Sequence, residues 1–186
     1  TGVITLVPIS EPDCAITAPA AGTCVDGFPA GTATLVLALN DNQGEAISYS
    51  VCVNGAPATL ISTDNGVLAG YAPTNPAACV GAANQVTGGA TGVANVVWDF
   101  VADGFGGMMC DPVTITVYPE DGTTAALGPF FTCALDFQVS NNGAPACVIN
   151  TVTGTSFDFD ITDADSGSVA AFFEYSLDGG TTWFIC

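Results

Sequence analysis

The sequence predicts an all-β protein: two tandem antiparallel β-sandwich units, stapled by disulfides, with little or no helix. Three observations carry this. Short apolar runs rich in β-branched and aromatic residues recur along the chain, each bounded by Gly, Pro, Asn or Asp. No segment sustains a 3.6-residue apolar period, and the helix formers Lys and Arg number 0. Eight cysteines stand in an acidic, Gly-rich chain without any CxxC spacing, which suits structural disulfides rather than zinc or redox chemistry.

The elements follow in order. Val3–Val7 lies between Gly2 and Pro8. Ala33–Leu39 opens after Gly31-Thr32 and stops at Asn40-Asp41-Asn42, and Ala46–Val53 stops at Asn54-Gly55. Ala58–Ile61 follows Pro57, Ala94–Val101 follows Gly92, and Val113–Tyr118 is bracketed by Pro112 and Pro119. Thr132–Val139 and Cys147–Val152 flank the turn residues Asn141-Asn142-Gly143. Ser156–Thr162 alternates most strictly, with Phe157, Phe159 and Ile161 on one face and Asp158 and Asp160 on the other. Ala170–Leu177 and Thr182–Cys186 flank Asp178-Gly179-Gly180.

An internal repeat organises these strands. Residues 24–55 and 147–180 share Cys-Val, a Gly-Thr strand opening, an Asn/Asp-rich turn, and a strand ending in Tyr-Ser with a Gly turn. Upstream, Cys14-Ala-Ile matches Cys133-Ala-Leu, and Ile4–Pro8 matches Ile115–Pro119. The expected organisation is an N-terminal strand at 1–8, a first sandwich at 9–118, a connector at 119–128 and a second, partial sandwich at 129–186. The second copy lacks a counterpart of residues 58–110. The chain opens at Thr1 with neither Met nor an apolar leader, as a processed or excised chain would.

Tyr175-Ser-Leu-Asp-Gly-Gly-Thr-Thr-Trp183 resembles the strand-turn-strand signature of immunoglobulin-like repeats in large bacterial cell-surface adhesins. Ile161-Thr-Asp-Ala-Asp-Ser-Gly167 is similar to turns of bacterial cadherin-like repeats. The resemblance implies that the two units are immunoglobulin-like and belong to a secreted or surface protein. The full cadherin calcium motifs are absent, so calcium binding is not carried over.

Composition excludes more than any motif includes. There is no Lys, Arg or His, and the formal charge is -18. Nothing can displace phosphate counterions, so nucleic acid is not an expected partner. No base serves a Ser-His-Asp or Cys-His nucleophile, and no imidazole serves zinc. No apolar run reaches transmembrane length. The cysteines point to an extracellular or cell-surface setting.

No cofactor is required by any motif, and calcium is the ion that the Asp-rich turns could attract. Asp160, Asp163 and Asp165 cluster in the second copy, and Asp41 and Glu45 sit at the matching place in the first. The competing reading is that Asp and Asn simply form turns there. Asp165-Ser-Gly167 matches a short aspartic-protease signature, but the first copy offers Asn42-Gln-Gly44 and no second acid. Two carboxylates beside aromatics, Asp99 with Trp98 and Glu174 with Tyr175, would be the pair for glycoside hydrolysis. Alternating strand residues explain them more simply, and the expectation is that the chain is not an enzyme. Gly104–Met109 is glycine-rich without the Lys of a phosphate loop.

The expected role is a non-enzymatic structural subunit of an extracellular filament or surface adhesin, a head-to-tail homopolymer joined by β-strand addition. Val3, Ile4, Thr5, Leu6 and Val7 would form the donated strand, filling the unpaired edge of the second unit. The alternative is a carbohydrate- or calcium-binding accessory module of a secreted protein, with Trp98, Trp183 and Tyr71 as stacking residues. From the repeat, the simplest disulfide scheme is Cys14–Cys24 and Cys133–Cys147. It leaves Cys52, Cys79, Cys110 and Cys186, one of them available to a neighbouring subunit.

Overall fold

The computed structural model describes residues 11–105, 110–121, 130–154, 156–163 and 169–185. All described secondary structure is β. In chain order the strands are β1 (Asp13–Ala18), β2 (Cys24–Asp26), β3 (Thr32–Asn40), β4 (Ile47–Val53), β5 (Ala56–Pro57), β6 (Leu60–Thr63), β7 (Val67–Leu68) and β8 (Gln85–Gly89). They continue with β9 (Gly92–Asp99), β10 (Asp111–Glu120), β11 (Cys133–Ser140), β12 (Ala146–Thr153), β13 (Ser156–Thr162), β14 (Glu174–Tyr175) and β15 (Phe184–Ile185). Two compact units divide between Asn142 and Gly143.

In the first unit, one sheet has the order β1-β3-β9-β6 and the other β2-β11-β10-β4-β8-β7, with β5 hairpinned onto β4. The core comes from alternate residues of both sheets: Leu35, Leu37 and Leu39 of β3, Val96 and Trp98 of β9, Tyr49 and Val51 of β4, Ile115 and Val117 of β10, and Phe137 of β11. The period-2 pattern of β3 therefore reads directly as burial. Asn54-Gly55 makes the β4–β5 turn with φ of 49° and 80°, and Val53 pairs with Ala56. Two positive φ values in a two-residue loop are what Asn-Gly supplies with least strain.

Strand β4 departs from simple alternation. Ser50 and Cys52 on its outer face are buried like its inner face. The cause is the segment 69–84, which lies over this face. Asn84, fully buried, donates from Nδ2 to Val51 O and Cys79 O at 3.1 Å each and accepts from Gly81 N at 2.9 Å.

The boundary falls downstream of the expected connector because β11 pairs antiparallel with β10 from Asp111↔Val139 to Val117↔Cys133. The strand read as the start of the second copy is thus part of the first sandwich. From Gly143 onward the described residues form two separate two-stranded sheets, β12-β13 and β14-β15, rather than a second sandwich. Of the long run Ala170–Leu177, Glu174–Tyr175 is strand. The expected donor strand Val3–Val7 lies outside the described residues.

The disulfides correct the expected scheme. Cys14 bonds Cys133, Cys24 bonds Cys110, and Cys52 bonds Cys79. Local loop closure fails because β1 and β2 belong to different sheets, separating Cys14 from Cys24. Cys14 instead bridges to β11 in the opposite sheet with Cα atoms 5.6 Å apart, inside the span a disulfide allows. Cys147 is an exposed free thiol, and Cys186 lies outside the described residues. Iodoacetamide applied to the native chain is expected to label Cys147 and to spare the paired cysteines. Peptide mapping that finds Cys14 or Cys133 alkylated would contradict the inter-sheet bridge.

Candidate functional site

The unit beginning at Gly143 carries the most unusual surface. Strands β12 and β13 pair with Cys147↔Ile161 and Ile149↔Phe159, and then the register shifts so that Val152 faces Phe157. The extra residue changes side-chain parity. Ile149 and Val152, three apart in sequence, come to the same face as Phe157 and Phe159. Phe173 closes on that face, with ring centroids 5.3 Å from Phe157 and 4.7 Å from Phe159. The opposite face carries Asp158 and Asp160 beside Val148, and Asn150 Nδ2 donates to Asp160 Oδ2 at 2.8 Å.

Beyond the Phe173 ring this apolar face is open. None of the described residues from Gly143 onward is buried. Val152 is 71% exposed, Phe172 91% and Leu177 83%. An open groove of about 340 Å³ runs along it, lined by Ala146, Cys147, Ile149, Ile161, Phe172 and Phe173 among others. Beside it, the Tyr175 and Phe184 rings stack at 5.4 Å. Sequence reading found the alternation of Phe157 and Phe159 but missed Ile149, Val152 and Phe172. The signal was the Asn150-Thr151 pair interrupting an apolar run, and only pairing shows that it is a bulge.

The turn Ser176–Thr182 is ordered by one carboxylate. Asp178 Oδ1 accepts from Thr182 N at 2.8 Å, Ser176 Oγ at 2.8 Å and Thr181 N at 3.1 Å. Hydrogen bonds from Thr182 first, then from Ser176 and Thr181, lower the Asp178 pKa to about 2. A depressed carboxylate pKa stabilises the turn above its unfolded value near 4, and the contribution is lost as pH falls towards 2. Carboxyl-carbon NMR is expected to place the Asp178 midpoint near 2. A midpoint at the ordinary carboxylate value would show that the turn does not hold its anion.

The Asp41 carboxylate holds its own turn. Asp41 Oδ1 accepts from Gln43 N at 2.9 Å and Oδ2 from Glu45 N at 2.7 Å, so both oxygens serve the backbone. Asp160 is engaged by Asn150 as above, and Asp165 lies outside the described residues. Among the described residues, no three His, Cys, Asp or Glu side chains converge to hold a metal ion.

The aromatic residues weighed for sugar stacking separate by burial. Trp98 is 0% exposed, and its Nε1 donates to Asp103 Oδ2 at 2.6 Å. It is a core residue and not a platform. Tyr71, within the 69–84 segment, is half-buried, while Trp183 is exposed. Asp99, beside Trp98, accepts from Ala102 N at 2.9 Å and caps a turn. Glu174 lines the apolar groove of the second unit.

No protein-family model and no curated protein matches the chain. Among solved structures, the X-ray structure of the endo-beta-1,4-mannanase from Thermotoga petrophila is similar at 12% identity and a TM-score of 0.39, covering 72% of this chain and 21% of that one. The chain therefore spans about a fifth of the mannanase's length. The expectation that the chain is not an enzyme is corrected on this finding and withdrawn, since the similar structure is that of an enzyme. At this TM-score the likeness assigns no activity to this chain.

Proposed function

We propose that the chain is a structural subunit of an extracellular filament or surface assembly, whose copies join when a strand of one is added to the open second unit of the next. The observation that carries this reading is the open apolar face of β12 and β13 with Phe172 and Phe173. A two-stranded sheet is marginal on its own in water, and three strands or a covering layer are needed for stability. Large contiguous apolar surfaces mark places where another chain docks. A donated strand supplies both requirements, backbone pairing at the edge and side chains over the face. The three disulfides among the described residues suit an oxidising compartment outside the cell.

The charge sets the conditions. With a formal charge of -18 and no cationic side chain, copies repel one another near neutrality. Lowering pH towards about 4 neutralises carboxylates, and sedimentation velocity is expected to show larger species as pH falls. Faster dissociation on acidification would speak against apolar and backbone contacts as the joining force. Negative-stain microscopy of native material tests the proposal itself. Filaments that disappear when residues 1–8 are deleted support strand donation, and monodisperse monomers at native concentration refute assembly.

A further inference from the structure

The three disulfides among the described residues differ in access. Cys52 is 1% exposed, and its Sγ accepts from Cys79 N at 3.3 Å, while Asn84 Nδ2 donates to Cys79 Sγ at 3.2 Å. Cys14 and Cys133 are half-buried and pack against the core shared by the two sheets. Cys24 is exposed at the start of β2, the three-residue edge strand of the second sheet. Its partner Cys110 is half-buried and immediately precedes β10.

The backbone sets the same bond apart. Cys110 has a φ of 60°, and among the described non-glycine residues only Asn54 shares a positive φ. Asn54 sits in an Asn-Gly turn, where its residue type tolerates that region. Cysteine has no such tolerance, because its Cβ is driven towards the following carbonyl oxygen. Cys110 is therefore strained, and the bond to Cys24 is one of the constraints on it. Strained or exposed disulfides are the ones that exchange, and this bond is both.

We propose that Cys24 Sγ is a thiol-exchange site, at which a small uncharged thiol opens the Cys24–Cys110 bond while the other two described disulfides stay closed. The thiolate attacks the exposed Cys24 sulfur, and a new S–S bond forms there. The Cys24–Cys110 bond breaks, and its electron pair leaves on the Cys110 sulfur, which takes a proton from water. One disulfide replaces another, so no oxidant is consumed. The formal charge of -18 favours an uncharged thiol over an anionic one. Opening also loosens β2, which pairs with β11 alone, from Gln138↔Cys24 to Ser140↔Asp26. Its remaining ties are few: Gln138 N donates to Thr23 O at 2.8 Å, Gly27 N to Ser140 O at 2.8 Å and Gly22 N to Asp136 O at 2.9 Å. A strand this short at a sheet edge opens more often once its covalent tie is gone.

The test uses the native chain with its exposed thiols first blocked by iodoacetamide. It is then held in 2-mercaptoethanol, trapped at early times with N-ethylmaleimide and digested with pepsin, since the chain has no Lys or Arg for trypsin. Mercaptoethanol on Cys24 and maleimide on Cys110 are expected at least about tenfold sooner than any opening of Cys14–Cys133 or Cys52–Cys79. Hydrogen exchange is expected to speed up at the Gly22, Gly27 and Gln138 amides while β3 and β9 keep their protection. Earlier opening of either other disulfide, simultaneous opening of all three, or mercaptoethanol on Cys110 in place of Cys24 would overturn the proposal. So would a Cys24–Cys110 bond that opens only when the chain unfolds.

Discussion

Replacing Cys14 and Cys133 together by alanine is expected to lower the unfolding free energy of the first unit by about 5 kcal/mol. The bond spans 119 residues and joins β1 of one sheet to β11 of the other, so its loss frees the largest loop among the described disulfides. Cys52–Cys79 spans 27 residues, and the same chain-entropy argument gives about 3.5 kcal/mol for its removal. Urea denaturation of the two double variants tests the order. If the Cys52/Cys79 variant proves the less stable, loop entropy does not govern these bonds, and the buried anchoring of the 69–84 segment does.

Truncation of Trp98 to alanine is expected to cost about 3–5 kcal/mol. The indole is fully buried and meets Phe100, Phe105 and Phe137 edge-on, with ring centroids 5.8, 5.9 and 6.3 Å away. No neighbour can fill a hole of that size without leaving its rotamer. The polar end matters too. Asp103 Oδ2 accepts from Trp98 Nε1 and from Thr59 N at 2.8 Å, and Oδ1 accepts from Thr59 Oγ1 at 2.6 Å. Asp103→Ala leaves these donors unpaired and is expected to cost about 2–3 kcal/mol. Trp183→Ala is the control: the ring is 59% exposed, and the change is expected to stay within about 0.5 kcal/mol. Equal losses at Trp98 and Trp183 would contradict the burial assignment.

Much of the first sandwich was legible from pattern. The strands β3, β4, β9 and β10 coincide with the apolar runs, because alternate residues must enter a core that both sheets share. Where the pattern is weak, reading failed. β8 contains Gly88-Gly89 and carries Val86 into the core from a stretch that looks like a loop. The short β2, β5 and β7 hold too few residues to show a period.

The candidate site was legible in part. Phe157 and Phe159 announce their face through strict alternation, but Ile149 and Val152 join it only through a bulge that exists in the pairing. Trp98 and Trp183 each stand in an apolar, aromatic run, yet one is buried and the other exposed. Neighbours in sequence do not distinguish them.

Local chemistry thus settled the all-β character, the Asn-Gly turn, the absence of cationic side chains and the disulfide-rich nature of the chain, since each depends on residue type and near neighbours. Cysteine pairing, the end of the first unit and the burial of Ser50 and Cys52 beneath residues 69–84 depend on which strands meet. Cys14 and Cys133 are joined because β11 completes the sheet of β10, a choice made by long-range pairing and shared burial. Contacts between residues so far apart leave no trace in the local period, and only the folded chain decides them.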